Sequence, residues 1–180
     1  WQIGALDFYN PQNTFLEEAR IDDEDEFTEG AMKIHGKSEE YLRDKNKRSQ
    51  KQLLEEFFDW TKKVDIKNCI CQNPQFDIGF ITYKARQYGL KLPFHYRAFD
   101  LHSLAAKVHH DLYRDFLIEE NHSGMGLSKT LELCGLQDNR KEHNALEDAK
   151  LTAECFSRIV EGKSLLQEFS QFKVPEYLAR

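Results

Sequence analysis

The sequence lacks the run of about 20 apolar residues that a transmembrane helix needs, and it does not open with a signal-peptide pattern. It also lacks an excess of basic residues, because 25 Lys and Arg face 31 Asp and Glu and the formal net charge is −6. This balance argues against a protein that holds nucleic acid on a broad basic face. It is compatible with an enzyme whose bound cations offset an acidic cleft. We expect no association with a membrane.

Cysteine is scarce as well, and the four cysteines lie inside apolar segments. These positions do not have the loop spacings of a disulfide framework, and they indicate a reducing, cytoplasmic setting. Cys69 and Cys71 face the same side of a predicted strand, but no further ligands follow at the spacing of a zinc site. We interpret the four thiols as small buried hydrophobic groups.

The pattern of the chain is that of an α/β protein, in which strands alternate with helices. Periodicity and capping signals predict two strands joined as a hairpin, a solvated acidic loop, further short strands, and a polar loop at 119–126. The predicted strands are 2–9, 13–20, 68–72 and 95–99, the acidic loop is 22–26, and the predicted helices are 28–34, 50–64, 74–89, 101–112, 128–135, 145–160 and 165–172.

The segment 141–149, Lys-Glu-His-Asn-Ala-Leu-Glu-Asp-Ala, places a histidine before a helix and a carboxylate on the first turn of that helix. Asn144 is a favourable N-cap, His143 lies on the entering loop, and Asp148 projects from the helix. A carboxylate that binds a divalent cation beside an imidazole that accepts a proton from water is the minimal set for metal-assisted hydrolysis. The alternative is a capping Asn, a surface His and an exposed Asp.

Three stretches together resemble one protein family. Residues 71–77, Cys-Gln-Asn-Pro-Gln-Phe-Asp, resemble its second motif, and residues 143–149 resemble its third, His-x-Ala-Leu-x-Asp-Ala. Residues 31–36, Ala-Met-Lys-Ile-His-Gly, resemble its early helix ending in Ile/Val-His-Gly. The family is that of the DEDDh exonucleases, which includes proofreading subunits, ribonuclease T and oligoribonuclease. The likeness extends from Trp1 to about Val160.

The resemblance implies a ribonuclease-H-like fold, with a mixed sheet flanked by helices. Residues 1–162 are then an N-terminally incomplete exonuclease domain, and residues 163–180 form a C-terminal helix and tail. The family's first motif, Asp-x-Glu on the central first strand, is absent from this chain, which begins with Trp1 rather than Met. We expect the natural protein to continue upstream of Trp1 by roughly 10–20 residues, which make up that strand and a loop. The alternative is a true loss, which leaves an inactive pseudoenzyme.

The resemblance also assigns roles to residues of the second and third motifs. Asp77 and Asp148 would share a centre of two Mg²⁺ or Mn²⁺ ions, the metals expected for an all-oxygen ligand set. His143 would be the general base, since an imidazole with a pKa near 6.5 is neutral at working pH. Phe76 would stack on the terminal base beside Asn73.

Two residues of the early helix complete the implied site, because Ala31 and His35 would touch the last sugar or base. The implied reaction is 3′–5′ exonucleolytic hydrolysis of a terminal phosphodiester, which releases nucleoside 5′-monophosphates. The implied partners are a single-stranded 3′ end, with DNA preferred, and a polymerase or a second copy of the chain. The alternatives are an RNA-trimming exoribonuclease or oligoribonuclease, and a catalytically inactive domain that acts as a binding module.

Overall fold

A computed structural model describes residues 1–26, 36–138, 140 and 144–179. Its strands are β1 (Gln2–Asp7), β2 (Asn10–Glu18), β3 (Ile70–Cys71), β4 (Phe99–Asp100), β5 (Ile118–Glu119) and β6 (His122–Ser123). Its helices are α1 (Glu39–Leu42), α2 (Gln50–Lys62), α3 (Pro74–Gln87), α4 (Leu101–Tyr113), α5 (Leu127–Leu133) and α6 (Ala145–Glu161), followed by a 3-10 turn (Gln167–Phe169). The predicted mixture of helices and strands is confirmed. None of these helices is both long and apolar enough to cross a membrane.

The described strands pair as three two-stranded sheets instead of the single mixed sheet that the resemblance implied. β1 and β2 are antiparallel, β3 and β4 are parallel, and β5 and β6 are antiparallel. Two of these ladders are only two residues long on each strand, so helices and loops must supply most of the packing around them. The ribonuclease-H-like arrangement itself stays a prediction.

The chain divides into two compact units, and the division falls within α3 and α6. The first unit comprises Trp1–Lys67, Ile78–His95 and Arg140–Asp148, and the second comprises Asn68–Asp77, Tyr96–Asn139 and Ala149–Arg180. The elements that carry the second and third motifs therefore each contribute residues to both units.

The first unit is built on the β1–β2 hairpin and the amphipathic helix α2. The rings of Phe15 and Phe57 lie 5.3 Å apart, and Phe57 stacks on Trp60 at 6.0 Å. The indole N–H of Trp60 donates to Asn13 of β2 at 2.9 Å, which joins helix and hairpin. A capping box of Ser49 with Gln52 begins α2. The helical periodicity over 50–64 predicts an apolar face on this helix. That face is confirmed by the burial of Leu53, Leu54, Phe57, Phe58 and Thr61.

The acidic loop of the first unit is not solvated throughout, contrary to the prediction. Asp25 accepts a hydrogen bond from the buried ammonium of Lys84 at 2.5 Å, and Asp22 lies 3.3 Å from the same nitrogen. Asp25 also accepts from Gln50, and the hydroxyl of Tyr88 donates to Asp22. A buried ammonium requires paired carboxylates, and no local pattern indicates that Lys84, on a helix, is buried.

The second unit is packed around α4, α5 and the C-terminal part of α6. Ala105, Met125 and Leu133 form a buried cluster, against which Val108, Leu117 and Ile159 pack. The segment after α6 is tied down by polar contacts: the hydroxyl of Tyr177 donates to the carbonyl of Leu133 at 2.7 Å, and Leu178 is buried. The predicted helix at 165–172 is therefore wrong, because this segment packs as a 3-10 turn and loops.

Two turns also differ from their predictions. The turn of the first hairpin lies at Phe8 and Tyr9, two residues before the predicted Asn10–Asn13, because Asn10 already pairs with Asp7. The predicted polar loop 119–126 contains the small β5–β6 hairpin, whose turn residues Glu120 and Asn121 have φ of 47° and 69°. Asn tolerates positive φ in hairpin turns, so Asn121 is a sequence signal for this hairpin.

Candidate functional site

Asp148 lies in the first turn of α6, at the position that the sequence predicted. The helix begins at Ala145, and Asn144 caps it, because its side-chain oxygen accepts from the N–H groups of Leu146 at 3.0 Å and Glu147 at 3.3 Å. The N–H of Asp148 then donates to the carbonyl of Asn144 at 3.0 Å, the first bond of the helical ladder. The helix dipole at this end favours negative charge, and Asp148 places a carboxylate there.

Arg140 forms an ion pair with the Asp148 carboxylate. Its Nη1 lies 2.8 Å from Oδ1 of Asp148, and the two side chains are 13% and 33% exposed. Sequence reasoning missed Arg140, although a basic residue shortly before the helix that carries Asp148 was a usable signal for an ion pair. A guanidinium in this position orients the carboxylate, and it has the geometry to bind a phosphate as well.

Asp77 lies in the first turn of α3 in the second unit and is exposed. Burial raises the pKa of Cys69 on the neighbouring strand β3 to about 11, and the negative charge of Asp77 adds to this shift. Burial and then Asp77 likewise raise the pKa of Cys71. Both thiols therefore favour the protonated form when no metal is bound. Asp77 supplies a hard oxygen donor beside them.

Asn73 and Phe76 flank the start of the same helix. The carbonyl of Asn73 accepts from the N–H of Phe76 at 3.0 Å, and the ring of Phe76 is 73% exposed. An exposed aromatic ring at a helix start is unusual for a core residue, and it leaves a face on which a base can stack. The exposure of Phe76 is compatible with the stacking role that the resemblance implies.

A cavity of about 630 Å³ in the second unit lies beside this helix start. Its lining includes Asn73 and Gln75 from the motif, Asp100 and His102 from the start of α4, and Ser123 from β6. Nε2 of His102 lies 2.8 Å from the hydroxyl of Ser123. Gln72 also lines this cavity, and its amide nitrogen donates to the carbonyl of Met125 at 2.9 Å. The cavity therefore offers amide, imidazole and hydroxyl groups for hydrogen bonds to a polar ligand.

Three of the predicted site residues lie outside the described residues: His143, Ala31 and His35. Asp148 belongs to the first unit, while Asp77, Asn73 and Phe76 belong to the second. Within the described residues, no three His, Cys, Asp or Glu side chains are grouped to hold a metal ion. The two carboxylates nevertheless have the right chemistry for Mg²⁺ or Mn²⁺, because both are accessible oxygen donors.

Comparison with known proteins places the chain among the nucleases. Residues 2–156 match the exonuclease family that is named after ribonuclease T. The match covers most of the 180 residues, and the chain therefore belongs to this exonuclease family.

A curated relative is similar to part of the chain. Ribonuclease T of Shewanella frigidimarina (strain NCIMB 400) is 33% identical over 95 residues, which make up 51% of this chain and 37% of the relative. The aligned stretch thus spans little more than a third of the length of that relative.

Proposed function

We propose that the protein is a metal-dependent 3′–5′ exonuclease of the DEDDh type, which removes nucleotides from a single-stranded 3′ end as nucleoside 5′-monophosphates. The observation that carries this proposal is the family match over residues 2–156, which includes both Asp77 and Asp148. The accessibility of both carboxylates, each in the first turn of a helix, supports it.

RNA is the substrate that we propose for this site. The family resemblance implied a preference for DNA, but the relative from Shewanella is named as a ribonuclease. An extended interface with many phosphates requires many cationic side chains. The net charge of −6 therefore favours a short interface, in which the protein contacts only the terminal nucleotides of the strand.

Asp77 and Asp148 are the described residues that would hold two Mg²⁺ or Mn²⁺ ions. When bound, such cations stabilise the charge that develops on the phosphate and acidify the attacking water. His143 would accept the proton of that water as its general base. The exposed ring of Phe76 would stack on the terminal base, a contact that holds a nucleotide without reading its identity.

The test is hydrolysis of 5′-labelled single-stranded RNA and DNA by the full-length protein and its variants. Replacing His143 by Ala should lower kcat about 100-fold to 10,000-fold, because it removes general-base catalysis. Asp148→Asn and Asp77→Asn should also abolish most turnover. Asp59→Asn is the matched control, since Asp59 is an exposed carboxylate of α2 that forms a salt bridge at 2.8 Å with Lys62 of the same helix.

The form of the substrate tests the direction and the class of activity. A linear strand should shorten from its 3′ end, whereas a circular strand of the same sequence and a strand with a blocked 3′ end should stay intact. Cleavage of the circle would contradict exonuclease action. Binding of the linear strand without any hydrolysis would instead identify the inactive binding module.

A further inference from the structure

Three backbone N–H groups at the start of α6 have side-chain acceptors, and one of these acceptors comes from the far end of the sequence. Asn144 accepts from Leu146 and Glu147. The remaining N–H, that of Ala145, donates to the side-chain oxygen of Gln2 at 2.9 Å. The first N–H groups of a helix have no partner within the helix, so Gln2 acts as a second cap that is attached to strand β1.

The same strand approaches the helix so closely that only glycine fits. A Cβ atom on Gly4 would lie 2.1 Å from the carbonyl carbon of Ala145 and 2.2 Å from the nitrogen of Leu146. Both are backbone atoms, which cannot swing aside as the end of a long side chain can. The φ of Gly4 is not positive, so this glycine serves the contact and not an unusual backbone conformation.

Strand β1 is itself fixed by its hairpin partner. Gln2 pairs with Glu18 and Gly4 with Leu16 in the antiparallel ladder, and β2 is held against α2 through Asn13 and Trp60. Gln2 and Gly4 are two residues apart on one strand, so both residues face the same side of the hairpin. The start of α6 therefore lies against a hairpin that α2 holds in place, and Asp148 lies in that same first turn.

We propose that Gln2 and Gly4 are positioning residues for Asp148, which set the location of the first helical turn from which its carboxylate projects. This inference rests on the proposed function, in which Asp148 holds a catalytic cation. Gln2 acts through the Ala145 N–H, and Gly4 acts by permitting backbone contact. Neither side chain touches the reacting atoms.

The deciding variant is Gln2→Leu in the full-length protein, because it removes the acceptor and keeps the size of the side chain. Its Mn²⁺ affinity, measured by electron paramagnetic resonance, should fall about tenfold, at the lower end of the effect of removing a group that orients a metal ligand. Its kcat should fall by a similar factor with KM little changed. Hydrogen exchange of the Ala145 amide, followed by NMR, should be faster than in the wild type.

Gln2→Glu is the rescue variant, since it keeps an oxygen acceptor at the same place, and it should restore slow exchange and Mn²⁺ affinity. Gly4→Ala should weaken Mn²⁺ binding at least as much as Gln2→Leu. The matched control is Gln12→Leu on β2, where Gln12 is exposed, and it should leave all three measurements unchanged.

Two outcomes separate the failure of this inference from the failure of the proposed function. If Asp148→Asn loses Mn²⁺ affinity while Gln2→Leu and Gly4→Ala keep it, the positioning role is overturned and the function stands. If Asp148→Asn keeps both its Mn²⁺ affinity and its hydrolysis, the proposed function fails and the positioning role fails with it.

Discussion

Arg158 and Glu154 form an ion pair on α6 from which water is fully excluded. Nε of Arg158 lies 2.6 Å from Oε1 of Glu154, and both side chains are 0% exposed. The other partners are all in the second unit. Arg158 donates to the carbonyls of Cys134, Phe169, Phe172 and Lys173, and Glu154 accepts from the hydroxyl of Ser164 and the N–H groups of Leu165 and Leu166. The pair thus ties the segment after α6 to the helix.

Arg158→Met should lower the free energy of unfolding by about 3–5 kcal/mol, because it leaves a buried carboxylate without its cation. Urea unfolding measures the loss. The matched control is Lys150→Met on the same helix, whose pair with Glu168 at 3.2 Å is partly exposed, and it should cost no more than about 1 kcal/mol. Equal losses in the two variants would contradict the importance of burial.

This pair also shows a limit of sequence reasoning at the residue scale. The spacing of Glu154 and Arg158 is that of an ordinary surface pair on a helix, and charged residues are rarely buried. The loop carbonyls that make burial possible come from distant parts of the chain. Short motifs single out Asp148 and Phe76 as candidates, whereas Gln2 and Gly4 act through contacts that no local pattern reveals.

At the scale of elements, the β5–β6 hairpin carries a turn that its sequence does not favour. Glu120 and Asn121 both have positive φ, as a two-residue type I′ turn requires, and Asn-Gly is the preferred pair for such a turn. Replacing Glu120 by Asn together with Asn121 by Gly should raise the free energy of unfolding by about 1 kcal/mol, because a residue other than Gly is strained at positive φ.

Urea unfolding at an unchanged m-value would check this prediction. Asn46→Gly provides the control, since Asn46 lies in a turn without positive φ, and the added backbone freedom of Gly should destabilise the protein there. A stabilising Asn46→Gly variant, or a destabilised hairpin variant, would contradict the argument from φ.

Helices could be predicted where an N-cap residue is followed by apolar residues at helical spacing. Helices α2, α4 and α6 begin at or beside the predicted residues, and Ser49, Asp100 and Asn144 cap them. Asp100 in particular accepts from the N–H of His102 at 3.1 Å. The helix at 165–172 failed, because its apolar residues pack into the second unit as a 3-10 turn, and tertiary contacts override a short local pattern.

At the scale of the whole molecule, the family could be predicted from the order of three weak motifs, and the match over residues 2–156 confirms membership of an exonuclease family. The division into two units and the pairing of the described strands into separate ladders could not be predicted. Strand pairing depends on contacts between residues far apart along the chain, and the hydrophobic pattern of each strand alone does not encode its neighbour.

The proposed cations should also stabilise the full-length protein, because any ligand that binds the folded state alone shifts the unfolding equilibrium. At a Mn²⁺ concentration about 100 times its dissociation constant the gain is about 2.7 kcal/mol, which corresponds to a rise in Tm of about 5–10 °C for a chain of this size. Calorimetry with and without a chelator measures that rise. Asp148→Asn should reduce it and Asp59→Asn should keep it, since Asp148 is proposed to hold a cation and Asp59 is not. An equal rise in both variants would show that Mn²⁺ binds elsewhere on the protein.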